Sequence, residues 1–238
     1  MGWLQDLNKV ALAGAVVLAG GLVVGGYLLG DGLRRAHAAE RSVTVRGLAE
    51  RDVTADLATW TIAYSATGTD LPTVRGEIEA NTAALKDYFR TLGFPADALS
   101  ATGAGVNQFM NNGINTITIT QRMQLRTNDI DRARKAVADQ FDLVRRGVTL
   151  QEGSAMTYSF TKLNDIKPPM VAAATKDARN AAEQFAKDSG TAVGGIKSAT
   201  QGYFSIEARD GQQSGGYGAA DTPYKKVRVV TTVDFYLE

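Results

Sequence analysis

The sequence predicts an α+β fold: antiparallel sheets with helices on one face, in ββα-type units, preceded by one N-terminal transmembrane helix. Three observations predict it. Several short segments rich in Val, Thr and Ile alternate with a period of two, as half-buried strands do. Between them lie stretches whose apolar residues recur at helical spacing and end at glycine. Ahead of both, the run from Val10 to Gly30 carries no charge.

That run sets the domain organisation. A secretory signal has an apolar region of about 7–15 residues, whereas roughly 20 apolar residues cross a hydrocarbon core. The reading is therefore a short tail over 1–9, a transmembrane helix or uncleaved signal anchor over 10–30, a juxtamembrane linker over 31–41, and a folded domain over 42–238. Ala36-His37-Ala38 has the small-x-small form of a cleavage site, but Asp31, Arg34 and Arg35 crowd it, which favours retention. Ala11, Ala15 and Ala19 recur every fourth residue, as do Gly21 with Gly25 and Gly26 with Gly30, so these positions are the candidates for close helix packing. Lys9 precedes the run and Arg34, Arg35 and Arg41 follow it, a charge distribution that does not favour export of the C-terminal body and leaves orientation open.

The elements of the domain run in order. Ser42 to Arg46 and Asp56 to Thr67 read as two strands joined by a polar turn around Gly47 to Asp52, a hairpin-like opening. Thr69 or Asp70 caps a helix with Pro72 in its first turn; Leu71, Val74, Ile78, Leu85, Tyr88, Phe89 and Leu92 form its apolar stripe, and Gly93 and Pro95 end it. Leu99 to Phe109 and Thr116 to Leu125 form a hairpin across Asn111-Asn112-Gly113, with Ile117, Ile119, Met123 and Leu125 on the buried face. Asn128 or Asp129 opens a short helix through Phe141 that stops at Gly147. Strands at Val148 to Gln151 and Ala155 to Leu163 come next. A helix then begins near Pro168 and Pro169, with Val171, Ala174, Ala178, Ala181 and Phe185 as a small-residue stripe. Ile196 to Ile206 and Val227 to Leu237 complete the strands, and the Gly-rich segment 207–223 between them reads as a flexible loop.

Composition narrows the chemistry. The net charge is +1 with Lys and Arg interspersed among Asp and Glu, so no nucleic-acid partner is expected. The chain has no cysteine and one histidine, His37 in the linker, which removes thiolate chemistry, His-dependent triads and the usual zinc sites from the domain. Gly190 to Lys197 imitates a phosphate loop, but Ile196 holds the lysine position and the segment leaves a helix instead of entering one. Glu50, Asp52 and Asp56 read as ordinary ion-pairing residues, lacking the spacing of a calcium loop. Trp60, Tyr64, Tyr158, Phe160 and Tyr203 read as core in alternating strands before they read as a ligand groove. The expectation is no catalytic residue, no cofactor, no metal, and no enzyme.

Val43-Thr-Val-Arg-Gly-Leu-Ala-Glu-Arg-Asp-Val-Thr-Ala-Asp-Leu-Ala58 resembles the opening of the SIMPL-domain family, which includes bacterial periplasmic and outer-membrane immunogenic proteins. Gly47, Glu50, Asp56 and Ala58 match the family's strand-and-turn motif, and Ala55 stands where proline is frequent. The Ala-rich segment Ala173 to Ala186, the glycines after it and the final Val-x-Val-x-Val-x-Phe strand are similar as well. The resemblance implies an export-linked α+β domain, large ring- or channel-like homo-oligomers, and an association with envelope or oxidative stress. It carries no catalytic residue, and gives Gly47, Glu50 and Asp56 a structural role. The functional expectation is a non-enzymatic protein of the bacterial inner membrane, single-pass with its domain in the periplasm, whose partners are the membrane and further copies of itself. The alternative is a periplasmic ligand-binding or sensory module, with the Gly211 to Gly218 loop closing over an aromatic groove.

Overall fold

The structure, a computed structural model, describes residues 18–32, 41–111, 113–210 and 222–238. The elements run α1 (18–32), β1 (Ser42–Thr54), β2 (Leu57–Gly68), α2 (Leu71–Thr91), a 3₁₀ turn (Ala96–Ala98), β3 (Leu99–Asn111), β4 (Ile114–Thr127), α3 (Ile130–Ala138), α4 (Phe141–Arg145), β5 (Ala155–Ser159), α5 (Leu163–Ser189), β6 (Val193–Gln201), β7 (Ser205–Ala208) and β8 (Tyr224–Leu237). One sheet has the order β1-β8-β6, with β7 also on β8; the other has the order β3-β4-β2-β5. Their assigned pairings are antiparallel. The chain divides into two compact units: residues 1–49, 171–203 and 229–238, and residues 50–170 and 204–228.

In the first unit the core is built for close approach. The stripe of α5 that is buried is Ala174, Ala178, Ala182 and Ala186, at a strict spacing of four. Of these, Ala178 and Ala182 form one cluster with Val43, Val233 and Phe235 from the strands. Ala181 and Phe185 from the expected stripe point outward instead, Phe185 being 52% exposed, because a helix backbone this near a sheet admits only methyl groups between them. The cause is visible at Gly47. An added Cβ there would lie 1.9 Å from the Ala174 carbonyl oxygen and 2.4 Å from the Ala178 nitrogen.

Gly47 corrects the sequence reading. The chain does not turn after Arg46: β1 continues through Gly47, Glu50 and Asp52 to Thr54, and Gly47 has none of the positive φ that a turn glycine uses. Nor do β1 and β2 form a hairpin, since they belong to different sheets.

In the second unit, α2 begins as expected at Asp70, whose Oδ2 accepts from the Thr73 backbone N–H at 3.1 Å, and ends before Gly93 at φ +81°. Its buried Val74, Ile78, Leu85, Tyr88 and Phe89 meet Trp60, Ile62, Tyr64, Met123 and Leu125 of the sheet. Phe89 makes edge-to-face contacts with Trp60, Tyr88 and Phe94 at centroid separations of 5.2–5.7 Å. The β3–β4 hairpin turns at Gly113, φ +79°, as its sequence predicts.

Five further features differ from the sequence reading. The expected single helix after Asn128 is two, α3 and α4, interrupted at Asp139 and Gln140. Val148 to Gln151 forms only an isolated bridge, Leu150 with Tyr64, and β5 stops at Ser159. α5 starts at Leu163, so Pro168 and Pro169 lie inside it, where they cannot donate to the carbonyls one turn earlier. The strand expected over Ile196 to Ile206 is broken into β6 and β7.

Candidate functional site

Two features of the second unit stand out from its surface. The first is β3, the edge strand of its sheet. From Ser100 to Met110 every residue is exposed, and Val106 (65%), Phe109 (52%) and Met110 (74%) expose large apolar side chains, joined by Ile114 (60%) across the turn. Between Asp97 and Arg122 there is no charged residue. Edge strands of folded proteins are usually shortened, charged, bulged or interrupted by proline, because their free N–H and C=O groups otherwise recruit another strand. The opposite edge, β5, is only five residues long; β3 has thirteen, no proline, and one irregularity near its start, between Ala101 and Gly103.

The second feature is a recess of about 670 Å³ along α2, floored by Phe89, Phe94 and Leu99 and rimmed by Lys86, Asp87 and Arg90. Asp87 binds Arg90, and its other oxygen accepts from Arg146 Nη1 at 2.7 Å. These two guanidiniums hold its carboxyl below the usual carboxylate range. The rim thus keeps a cationic excess above an aromatic floor. No sequence signal exposed this recess, because its wall is the outer face of α2 and its floor comes from the turn after it.

The residues singled out from sequence are separated by the fold. Gly47 is a packing position beneath α5. Glu50, exposed on β1, makes long ion pairs with Lys226 at 3.9 Å and Arg228 at 3.7 Å. Asp56 lies between β1 and β2, where its carboxylate accepts from the Thr161 backbone N–H at 2.7 Å and the Thr161 hydroxyl at 2.9 Å, and its carbonyl accepts from Asn128 Nδ2 at 2.6 Å. These are joints of the fold. No group of three or more His, Asp or Glu among the described residues is placed to hold a metal ion. Trp60 and Tyr64 are buried in one cluster and Tyr158 in another, Phe160 is half-buried and Tyr203 is fully exposed, so they line no common groove.

Of the segment expected to span a membrane, residues 10–17, with Ala11 and Ala15, lie outside the described residues. Ala19, Gly21, Gly25, Gly26 and Gly30 lie on α1, and a Cβ added at any of the four glycines meets nothing within 4 Å. Among the described residues no helix is long and apolar enough to cross a membrane. Of the segment read as a flexible loop, Glu207 and Ala208 belong to β7, Arg209 stacks on Tyr224 at 4.6 Å and pairs with Asp210, and Pro223 accepts from the Ala55 N–H; residues 211–221 lie outside the described residues.

Fold and surface together define a mixed α+β protein of two antiparallel sheets, one with an unprotected edge. The chain belongs to the SIMPL family, described as protein of unknown function, which matches over residues 43–235. A comparison with the curated proteins finds no match.

Proposed function

We propose that the chain is a non-enzymatic protein of the bacterial envelope, tethered to the inner membrane through residues 10–30 with its folded part in the periplasm, and that it self-assembles into a large ring- or cage-like homo-oligomer linked to stress response. The observation that carries this reading is β3: a long, uncharged, apolar sheet edge is stable in a folded protein when something pairs with it. The apolar side chains of α1, exposed all round the helix, support the tether, since a helix apolar on every side belongs in an apolar surrounding. Family membership supports the periplasmic side over the charge count around the segment.

The test is a native mass spectrum of the protein extracted from its own membrane in mild detergent, followed by dissociation to weigh one subunit. A multimer whose subunit retains residues 10–30 is expected. A lone subunit beginning near Ala39 overturns both tether and assembly.

A second reading, a periplasmic ligand-binding module, rests on the recess along α2. An aromatic floor under Lys86 and Arg90 suits an amphipathic carboxylate. Calorimetric titration with a medium-chain fatty acid, repeated on Arg90→Ala, tests it; identical heats from both chains remove it.

A further inference from the structure

Resting on the self-assembly reading, we infer that β3 pairs antiparallel with β3 of a second copy of this chain, about a two-fold axis through Asn107. The order of side-chain sizes along the strand carries the inference. The first half after its irregularity is small, Gly103-Ala104-Gly105, and the second half is large, Val106-Asn107-Gln108-Phe109-Met110. In an antiparallel pair, opposed residues share a face of the sheet. With Asn107 opposite its own copy, Phe109 falls opposite Gly105 and Met110 opposite Ala104, so the two largest side chains each cover a small one, while Val106 faces Gln108. An aromatic laid over a cross-strand glycine is a favourable way to bury both. The same strand in parallel register would place Phe109 on Phe109 and Gly105 on Gly105, leaving a ridge beside a gap.

Charge selects the same occupant. A two-fold axis sets every residue against its mirror position, so any charge near the centre meets its like. β3 has none, and a strand free of charge is free of that penalty against itself. The space is open: a Cβ added at Gly103 or Gly105 meets nothing within 4 Å. Val106 and Met110 lie across the ladder from Ile119 and Asn115, beside the buried Ile117 and Ile119, so a second strand prolongs an apolar face that already exists. The product is one continuous sheet of eight strands, four from each copy, with both long edges removed.

The absence of cysteine makes the register directly readable. In full-length protein in mild detergent, Asn107→Cys puts two thiols across the axis with Cα atoms about 4.5–5.5 Å apart, within disulfide reach. Gly103→Cys puts them about 25 Å apart. Under mild oxidation, a covalent dimer from Asn107→Cys and none from Gly103→Cys is the expected result. Equal cross-linking at both positions means parallel in-register stacking and overturns the proposal, as does cross-linking at neither in a sample whose native mass is multimeric. Asn107→Lys and Asn107→Asp, each alone, should weaken this contact at least about tenfold by setting like charges opposite each other, and mixing the two should restore it. Loss that mixing does not rescue, with both variants folded by circular dichroism, overturns the two-fold pairing. Wild-type protein that is monomeric in the native spectrum fails the self-assembly reading itself, a result distinct from a multimer indifferent to position 107.

Discussion

The two units solve the burial of a helix on a sheet in opposite ways. In the first, α5 presents Ala174, Ala178, Ala182 and Ala186, and the strand below gives up a side chain altogether at Gly47. In the second, α2 presents Leu85, Tyr88 and Phe89 to a sheet that answers with Trp60, Tyr64 and Met123. One core gains its contacts by bringing backbones together, the other by filling the gap between them with rings. Dispersion contacts accumulate in both, but the failure modes differ. The first has no room to accept atoms, and the second cannot lose them without leaving a cavity.

The largest effect should come from adding atoms to the first core. Gly47→Val drives a side chain into the Ala174 carbonyl and the Ala178 amide, and backbone cannot move aside by changing rotamer. The expected cost is more than about 4 kcal/mol, at the far end of what single substitutions do. Hydrogen exchange of the α5 amides reads this unit by itself; protection of Ala174 to Ala186 unchanged in the variant would mean that the helix is not held against β1. Next in size is removal from the second core. Phe89→Ala deletes a ring that touches three others and should cost about 3–4 kcal/mol, seen as a lowered denaturant midpoint. A loss near 1 kcal/mol would show that this core collapses around the gap and that the contrast between the units is overstated.

The same contrast explains what was legible in the sequence. α2 could be read because a capping Asp70, Pro72 and a terminating Gly93 bracket a stripe of large residues whose spacing speaks for itself. The β3–β4 hairpin and the alternation of β8 were equally plain, each being set by neighbours in the chain. Gly47 was misread because a glycine in a turn and a glycine under a helix look alike in one sequence. The available signal was that Val43, Gly47 and Ala49 keep the period-two rhythm through the supposed turn. Which sheet a strand joins depends on contacts far along the chain, so the β2–β4 pairing and the separation of β1 from β2 had no local trace. The exposed edge of β3 also needed the strand order before its lack of charge meant anything.

A mid-sized effect lies at the rim of the aromatic core. The Tyr88 hydroxyl donates to the Ala136 carbonyl at 2.6 Å. Burial, reinforced by Asp139 and opposed by Arg146, pushes its ionisation up to about 12 from 10.0. Between those values the unfolded chain has lost a proton that the folded one keeps. Its contribution to stability is therefore whole below pH 10 and disappears as pH rises through about 12. Tyr88→Phe should cost about 1–2 kcal/mol at neutral pH through the lost hydrogen bond, and should flatten the alkaline fall in stability over that window. A variant with the same alkaline slope as the wild type would place that slope on another group.

The smallest predicted effect has the opposite sign. β8 alternates Val227, Val229, Thr231, Val233 and Phe235 toward the core, and Thr231 is the polar member, 3% exposed. Its hydroxyl oxygen is buried with no hydrogen-bond partner among the described residues. A buried hydroxyl without a partner forfeits its hydration and gains nothing in return, whereas valine has nearly the same shape and a third carbon to pack. In a core so short of space, only an isosteric exchange is safe, which is why Thr231→Val is informative where a larger residue is not. Stability should rise by about 0.5–1 kcal/mol, readable as a higher denaturant midpoint with an unchanged slope. A fall instead would mean that the hydroxyl is satisfied in solution, by a bound water or by a neighbouring copy, and would make β8 part of a polar contact, not a purely apolar wall.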